Sequence, residues 1–159
     1  MRARFALIAC WMLSAACSGG QNRPETVMRP IEERRARGVI EQTLVDNGMR
    51  PAKGRVVQLQ DGSELAEDMA IAGESYGIAY LTEREAGKVG TSVPEYRPDE
   101  EQLRLVSGTE GSITLILYEQ NYRYDAGETH ETTAITAEKR LARDVSDFVL
   151  HVVKQHKVR

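Results

Sequence analysis

The apolar residues of this chain change their spacing several times, and each change marks an element. Phe5 to Leu13 is a continuous apolar run, after which Ser18 to Arg29 is polar and turn-rich, with almost nothing to bury. Ala36, Ile40 and Leu44, joined by Val39, then fall on one helical stripe and predict a helix from Pro30 to about Asp46. The fixed φ of Pro30 suits a first helical turn. Asn47-Gly48 followed by Pro51 reads as a stop, with Gly48 in the left-handed conformation.

A β-rich stretch follows. Arg55 to Gln60 and Glu64 to Ile71 flank Asp61-Gly62-Ser63 and predict a hairpin. A two-residue Asp-Gly turn would set Leu59 opposite Glu64. A three-residue loop, with Gly62 or Ser63 left-handed, sets Leu59 opposite Leu65 and Val57 opposite Glu67, and is preferred because it keeps both leucines on one face. Tyr76 to Leu81 reads as a third strand, Thr82 to Gly87 as a short helix capped by Thr82, and Gly90 to Glu101 as a loop. Gln102 to Val106 and Ser112 to Tyr118 form a further hairpin. Ile113, Leu115 and Leu117 occupy one face of its second strand, with Ile116 and Tyr118 on the other, which places that strand in the middle of a covered sheet. Tyr122-Arg123-Tyr124 then turns through Asp125 to Glu128 into a strand from Thr129 to Ile135. The last helix runs from Ala137 to about Lys154, capped by Thr136, with Leu141, Val145, Phe148, Val149 and Val152 along one face. The pattern predicts an α+β fold, an antiparallel sheet of β-hairpins covered on one face by an N-terminal and a C-terminal helix.

The first apolar run belongs to a different kind of segment. Arg2 and Arg4 precede it and the small residues Ser14, Ala15 and Ala16 follow, the arrangement of an export signal. The run is well short of the ~20 residues a membrane-spanning helix needs. Leu13-Ser14-Ala15-Ala16-Cys17 resembles the lipobox of bacterial lipoproteins, in which the cysteine is acylated and becomes the first mature residue. Ser14 departs from the large aliphatic residue usual at its place. Leu7-Ile8-Ala9-Cys10 fits the four-residue pattern better but leaves almost no apolar run before the cut, so Cys17 is the preferred site; ordinary secretion with Cys17 unmodified is the alternative. The resemblance implies a membrane partner through lipid on Cys17, and Ser18 is compatible with delivery to the outer membrane. The chain thus divides into a signal peptide (1–16), a lipidated tether (17–29) and a single α+β domain (30–159).

Cleavage there changes the composition that matters. The mature chain has 143 residues, enough for one hydrophobic core. Without Arg2 and Arg4, 19 basic residues face 24 acidic ones, and the net charge moves from -3 to -5. Nucleic acid, which demands a concentrated basic surface, is excluded as the main partner. Cys10 and Trp11 leave with the signal and Cys17 carries lipid, so the domain keeps no thiol for catalysis and no cysteine-based zinc site. Arg34, Arg35 and Arg37, close to the tether, could attract anionic head groups; i,i+4 pairing with nearby glutamates is the commoner use.

Candidate chemistry is sparse. Tyr122, Tyr124, Asp125, Glu128, His130 and Glu131 form the densest polar group, in which His130 could act as general base supported by Asp125 or Glu131. His130-Glu131 begins like a helical zinc-protease motif, but Ala134 stands where the second histidine is needed. His151 and His156, five apart on a helix, do not share a face. Ser75 and Ser112 lack a nucleophile-elbow context, and Asp99-Glu100-Glu101 reads as an acidic loop. Neither a cofactor nor a metal is expected. Tyr76, Tyr80 and Tyr118 read as core. Ile116, Tyr118, Tyr122 and Tyr124 share a parity and would line one face of an unbroken strand, leaving Tyr122 and Tyr124 as candidate partner contacts. The sequence favours a lipid-anchored envelope protein with a small non-catalytic binding domain, with an envelope hydrolase using the His130 region as the alternative.

Overall fold

Tyr76–Leu81 and Ile113–Tyr118, both apolar on alternate sides, lie next to each other in the computed structural model, inside a five-stranded sheet. The structure describes residues 26–98, 102–127 and 132–156. In chain order the elements are β1 (Met28–Pro30), α1 (Glu33–Asp46), β2 (Pro51–Lys53), β3 (Val56–Gln58), β4 (Glu64–Ala66), β5 (Met69–Ile71), β6 (Tyr76–Leu81), α2 (Glu83–Ala86), β7 (Arg104–Ser107), β8 (Ile113–Tyr118), β9 (Arg123–Asp125) and α3 (Ala134–Phe148). A 3-10 turn, Glu119–Tyr122, joins β8 to β9. A π-helical turn, Val149–Val153, and a last helical turn, Lys154–His156, continue α3.

The sheet order is β2-β5-β6-β8-β7, with β1–β9 and β3–β4 as separate two-stranded pairs. The class is α+β, as the pattern predicts, but the sheet is mixed rather than antiparallel. β6 and β8 run parallel, from Tyr76↔Ile113 to Leu81↔Tyr118, while the other neighbours are antiparallel. The β7–β8 hairpin forms as expected. β8, buried along almost its whole length, takes the inner place, and β7, with alternate residues exposed, takes the edge.

Each face of the sheet has its own core. Tyr76, Ile78, Tyr80, Leu115 and Leu117 share a cluster with Ala36, Ile40 and Leu44 of α1 and with Ala137, Leu141, Val145 and Phe148 of α3. The opposite parity, Ala79, Leu81, Ile116 and Tyr118, packs with Val57, Leu59 and Leu65 of the β3–β4 hairpin and with Val93 and Val106. α1 and α3 run in the same direction, since Arg35 meets Glu138 near their starts and Asn47 meets Ser146 near their ends.

Four expectations shift. Pro30 ends β1 instead of opening α1, because the next residue, Ile31, is buried and extends the β1–β9 ladder by donating to Tyr122 O at 3.3 Å. The hairpin loop does have Gly62 left-handed, at φ 81°, but Val57 faces Leu65 and Gln58 faces Glu64. The pairing is shifted by two residues from the expected one, which leaves Val57, Leu59 and Leu65 on the same buried side and sets Val57 against Leu65 instead of Glu67. Third, β9 pairs with β1, not with a strand at 129–135. Residues 129–131 lie outside the described residues, and Ile135 is already helical because Thr133 caps α3 three residues early, its hydroxyl accepting from Thr136 N at 3.2 Å. Gly48 at φ 77° stands just beyond α1 as expected.

The fourth shift concerns the end of α3. Val153, not Val152, is fully buried after Val149, because the wider π turn moves the buried position on by one residue. Val153→Ala is therefore expected to cost about 2 kcal/mol in urea unfolding, from lost burial and the void left behind. Val152→Ala, at a half-buried position, should cost less than half as much. Equal costs would mean that the regular helical period persists.

Candidate functional site

The most unusual group in the molecule is a carboxylate at the junction of two sheets. β4 ends at Ala66 and β5 begins at Met69, so Glu67 and Asp68 carry the chain from the hairpin into the main sheet. The two-residue period that turns Leu65 inward also turns Glu67 inward. Its N–H donates to Arg55 O at 2.8 Å, and its side chain is 0% exposed. The carboxylate lies against Gly77 of β6 and Thr114 of β8, which are paired across the parallel strands. Thr114 Oγ1 donates to Oε1 at 2.7 Å, and Arg55 Nε stands 3.0 Å from Oε2 as an ion pair without the alignment of a hydrogen bond. Gly77 makes room for the group: a Cβ there would stand 2.0 Å from both Cδ and Oε1. Burial pushes the Glu67 pKa above the ordinary glutamate value, against the hydrogen bond from Thr114 and the charge of Arg55, which lower it.

Arg55 connects this buried charge to solvent. Its side chain is 39% exposed and Nη1 reaches Glu74 O at 3.4 Å. It forms one wall of a cleft of about 360 Å³, together with Gln58, Glu64, Ser75, Thr109 and Ser112. Backbone bonds fix these walls: Thr109 N–H donates to Gln58 O at 2.9 Å, Gly108 N–H to Ser112 O at 2.8 Å and Ile113 N–H to Ser75 O at 2.8 Å. The arrangement offers the Arg55 guanidinium and hydroxyls from the two loops that precede β6 and β8.

The neighbouring Asp68 has a different task. Its Oδ2 accepts from Tyr80 N at 2.7 Å and its Oδ1 from Arg37 Nε at 2.7 Å, which ties α1 to β6 just before β5 begins. Arg37 also pairs with Glu33 one turn away, and Arg35 makes a two-pronged contact with Glu138 at 2.8 and 2.9 Å. These pairs are the i,i+4 and interhelical use of the arginines.

The residues singled out in the sequence do not converge. Cys17, Glu128, His130 and Glu131 lie outside the described residues. Asp125 is buried and its Oδ1 accepts from Val27 N at 3.2 Å and Gly127 N at 2.8 Å, so it fastens the end of the β1–β9 pair. Tyr122 is corrected from a partner contact to a core residue. It is 1% exposed, lies 6.1 Å from the Tyr80 ring, and its hydroxyl donates to Asp144 at 2.8 Å. The shared parity with Tyr118 fails because the 3-10 turn breaks the strand, sending the two tyrosines to opposite cores. Tyr124 is half-buried against the helical cluster. Tyr76, Tyr80 and Tyr118 are core, as expected. Among the described residues no three His, Cys, Asp or Glu side chains gather as a metal site, and no helix is long and apolar enough to cross a membrane.

Glu67, Gly77, Thr114 and Arg55 carry no motif that singles them out along the chain. The one signal available is the parity that puts Glu67 on the side of Leu65, and a charge on an apolar face reads first as an imperfect register. No protein-family model, curated protein or solved structure matches the chain.

Proposed function

We propose that this is a lipid-anchored protein of the cell envelope, held by an acyl group on Cys17, whose α+β domain binds a polar ligand or peptide segment without catalysis. The cleft beside Arg55 is the binding site in this reading. The observation that carries it is the buried Glu67 charge spent on positioning one half-exposed arginine. An ion pair of this kind is a poor source of stability, since desolvation offsets most of the Coulombic gain. It does keep the guanidinium at the cleft wall. The hydrolase reading has less support, because the Asp125 carboxylate is already occupied by backbone amides.

The test is photo-crosslinking in intact envelopes from a reactive group at Thr109, on the cleft, beside one at the exposed Leu150. A discrete adduct from position 109 and none from 150 is expected. Well-expressed protein that gives no adduct from 109 overturns the cleft assignment. Membrane retention of Cys17→Ala equal to wild type overturns the anchor.

A further inference from the structure

The elements next to the tether meet at one end of the molecule, and that end carries exposed apolar side chains. Val27, Met28 and Ile135 are 40%, 47% and 64% exposed. Hydrogen bonds connect their segments: Ala126 N–H donates to Val27 O at 2.8 Å, and Asp125 N–H to Thr132 O at 2.8 Å, just before the Thr133 cap of α3. Ile135 in turn lines one groove with Glu32, Arg34, Arg35 and Lys139, where α1 and α3 begin side by side. Among the described residues, Arg29, Arg34 and Lys139 make no ion pair, while Arg35 is matched by Glu138. The charges facing this end therefore include free cations as well as Glu32 and the paired Glu138.

The Arg55 cleft lies at the other end. Tyr80, near the C-terminal end of β6, reaches Ile31 O at 3.0 Å, whereas Ser75 and Ser112 stand just before β6 and β8 begin. Ten residue steps separate Cys17 from Val27, and even fully extended they span at most about 35 Å. An acyl group on Cys17 would keep Val27 within that distance of the bilayer. Exposed apolar groups flanked by lysine and arginine are the chemistry that enters a headgroup region.

We propose that this end rests on an anionic lipid surface, with Ile135 and Met28 entering the headgroup layer and Arg29, Arg34 and Lys139 at the phosphates, so that the Arg55 cleft opens away from the membrane. This inference rests on the lipid anchor proposed above. It orients the domain, which anchoring alone does not.

The experiment uses the full lipidated protein in vesicles of phosphatidylethanolamine and phosphatidylglycerol that contain nitroxide-labelled lipid. A fluorophore is attached to Met28→Cys, Ile135→Cys or, as controls on other surfaces, Val56→Cys and Leu105→Cys. Quenching severalfold stronger at 28 and 135 than at 56 and 105, and reduced when phosphatidylglycerol is omitted, is expected. Equal quenching at all four positions, in protein that floats with the vesicles, overturns the resting face and leaves the anchor standing. Protein that fails to float and carries no acyl group by mass overturns the anchor reading, and the orientation with it. Capture of a protein on 28 and 135 with no lipid quenching assigns the surface to a protein partner and overturns the proposal.

Discussion

Gly77→Ala is expected to lower the stability of the domain by about 3 kcal/mol, an unusually large effect for adding one methyl group. The new Cβ would stand 2.0 Å from Cδ and Oε1 of Glu67 and 2.2 Å from Oε2. The Cβ position is fixed by the backbone, so it is the Glu67 side chain or the segment carrying it that must move. The carboxylate must leave its place against Thr114, or β4 must lift from the sheet. Either route breaks a buried charge network and opens the core beneath the β3–β4 hairpin. Urea unfolding measures the loss, and a double-mutant cycle identifies its cause. In a Glu67→Ala background the space is vacant, so Gly77→Ala should then cost less than about 1 kcal/mol. The same cost in both backgrounds would show that the glycine is required for its backbone and not for the carboxylate.

Arg55→Ala is the second large effect and the one with a pH signature. The substitution leaves Glu67 buried beside Thr114 with no cation, and at neutral pH it should cost about 2 kcal/mol, below the ~3–5 kcal/mol of a fully enclosed pair because Arg55 is partly solvated. The Glu67 pKa is already raised by burial in the wild type, and loss of the Arg55 charge raises it further. A carboxyl whose pKa is higher folded than unfolded binds more protons in the native state between the two values. Its favourable contribution is complete below the ordinary glutamate value of 4.5 and is lost as pH rises through the folded value. Arg55→Ala should therefore be nearly as stable as wild type in mild acid and fall progressively behind towards neutrality. Glu67→Gln in the same chain should remove that slope, because an amide does not titrate. A deficit independent of pH in Arg55→Ala alone would refute the assignment.

Oppositely directed behaviour is expected of Asp61. Its carboxylate accepts from Ser63 Oγ at 2.5 Å, Ser63 N at 2.9 Å and Ser92 N at 2.8 Å, tying the hairpin tip to the loop before Val93. These hydrogen bonds hold its pKa well below the ordinary carboxylate range. The tie is complete above the ordinary value and is lost only as pH falls through the lower folded one. The hairpin is thus fastened at its tip by an ionised group in mild acid, where Glu67 at its base is gaining a proton.

Much of the architecture is legible along the chain because local chemistry dictates it. Leu141, Val145, Phe148 and Val149 fall on one helical stripe in the sequence and in the core. β8 declares itself an inner strand by being apolar on both sides, and Gly48 and Gly62 mark turns that need φ > 0. Thr82 and Glu85, three residues apart in the sequence, form the reciprocal cap of α2. Where the pattern misleads, distant residues decide. Pro30 is compatible with a helical turn and with a strand, and the burial of Ile31 with the pairing of β1 to β9 selects the strand. Tyr122 and Tyr124 look like a continuation of β8 until the 3-10 turn rotates the chain.

The class of fold, the inner strand and the helix that closes the domain all follow from the linear order of residues. Each depends on spacing or composition within a single segment. Long-range packing alone makes β6 and β8 run parallel, turns Tyr122 to the helical core, and brings Glu67 to Gly77, Thr114 and Arg55. Those four residues come from separate segments, and no periodicity connects them. A buried charge becomes recognisable only when the room made by a distant glycine and the cation beside it are both in place.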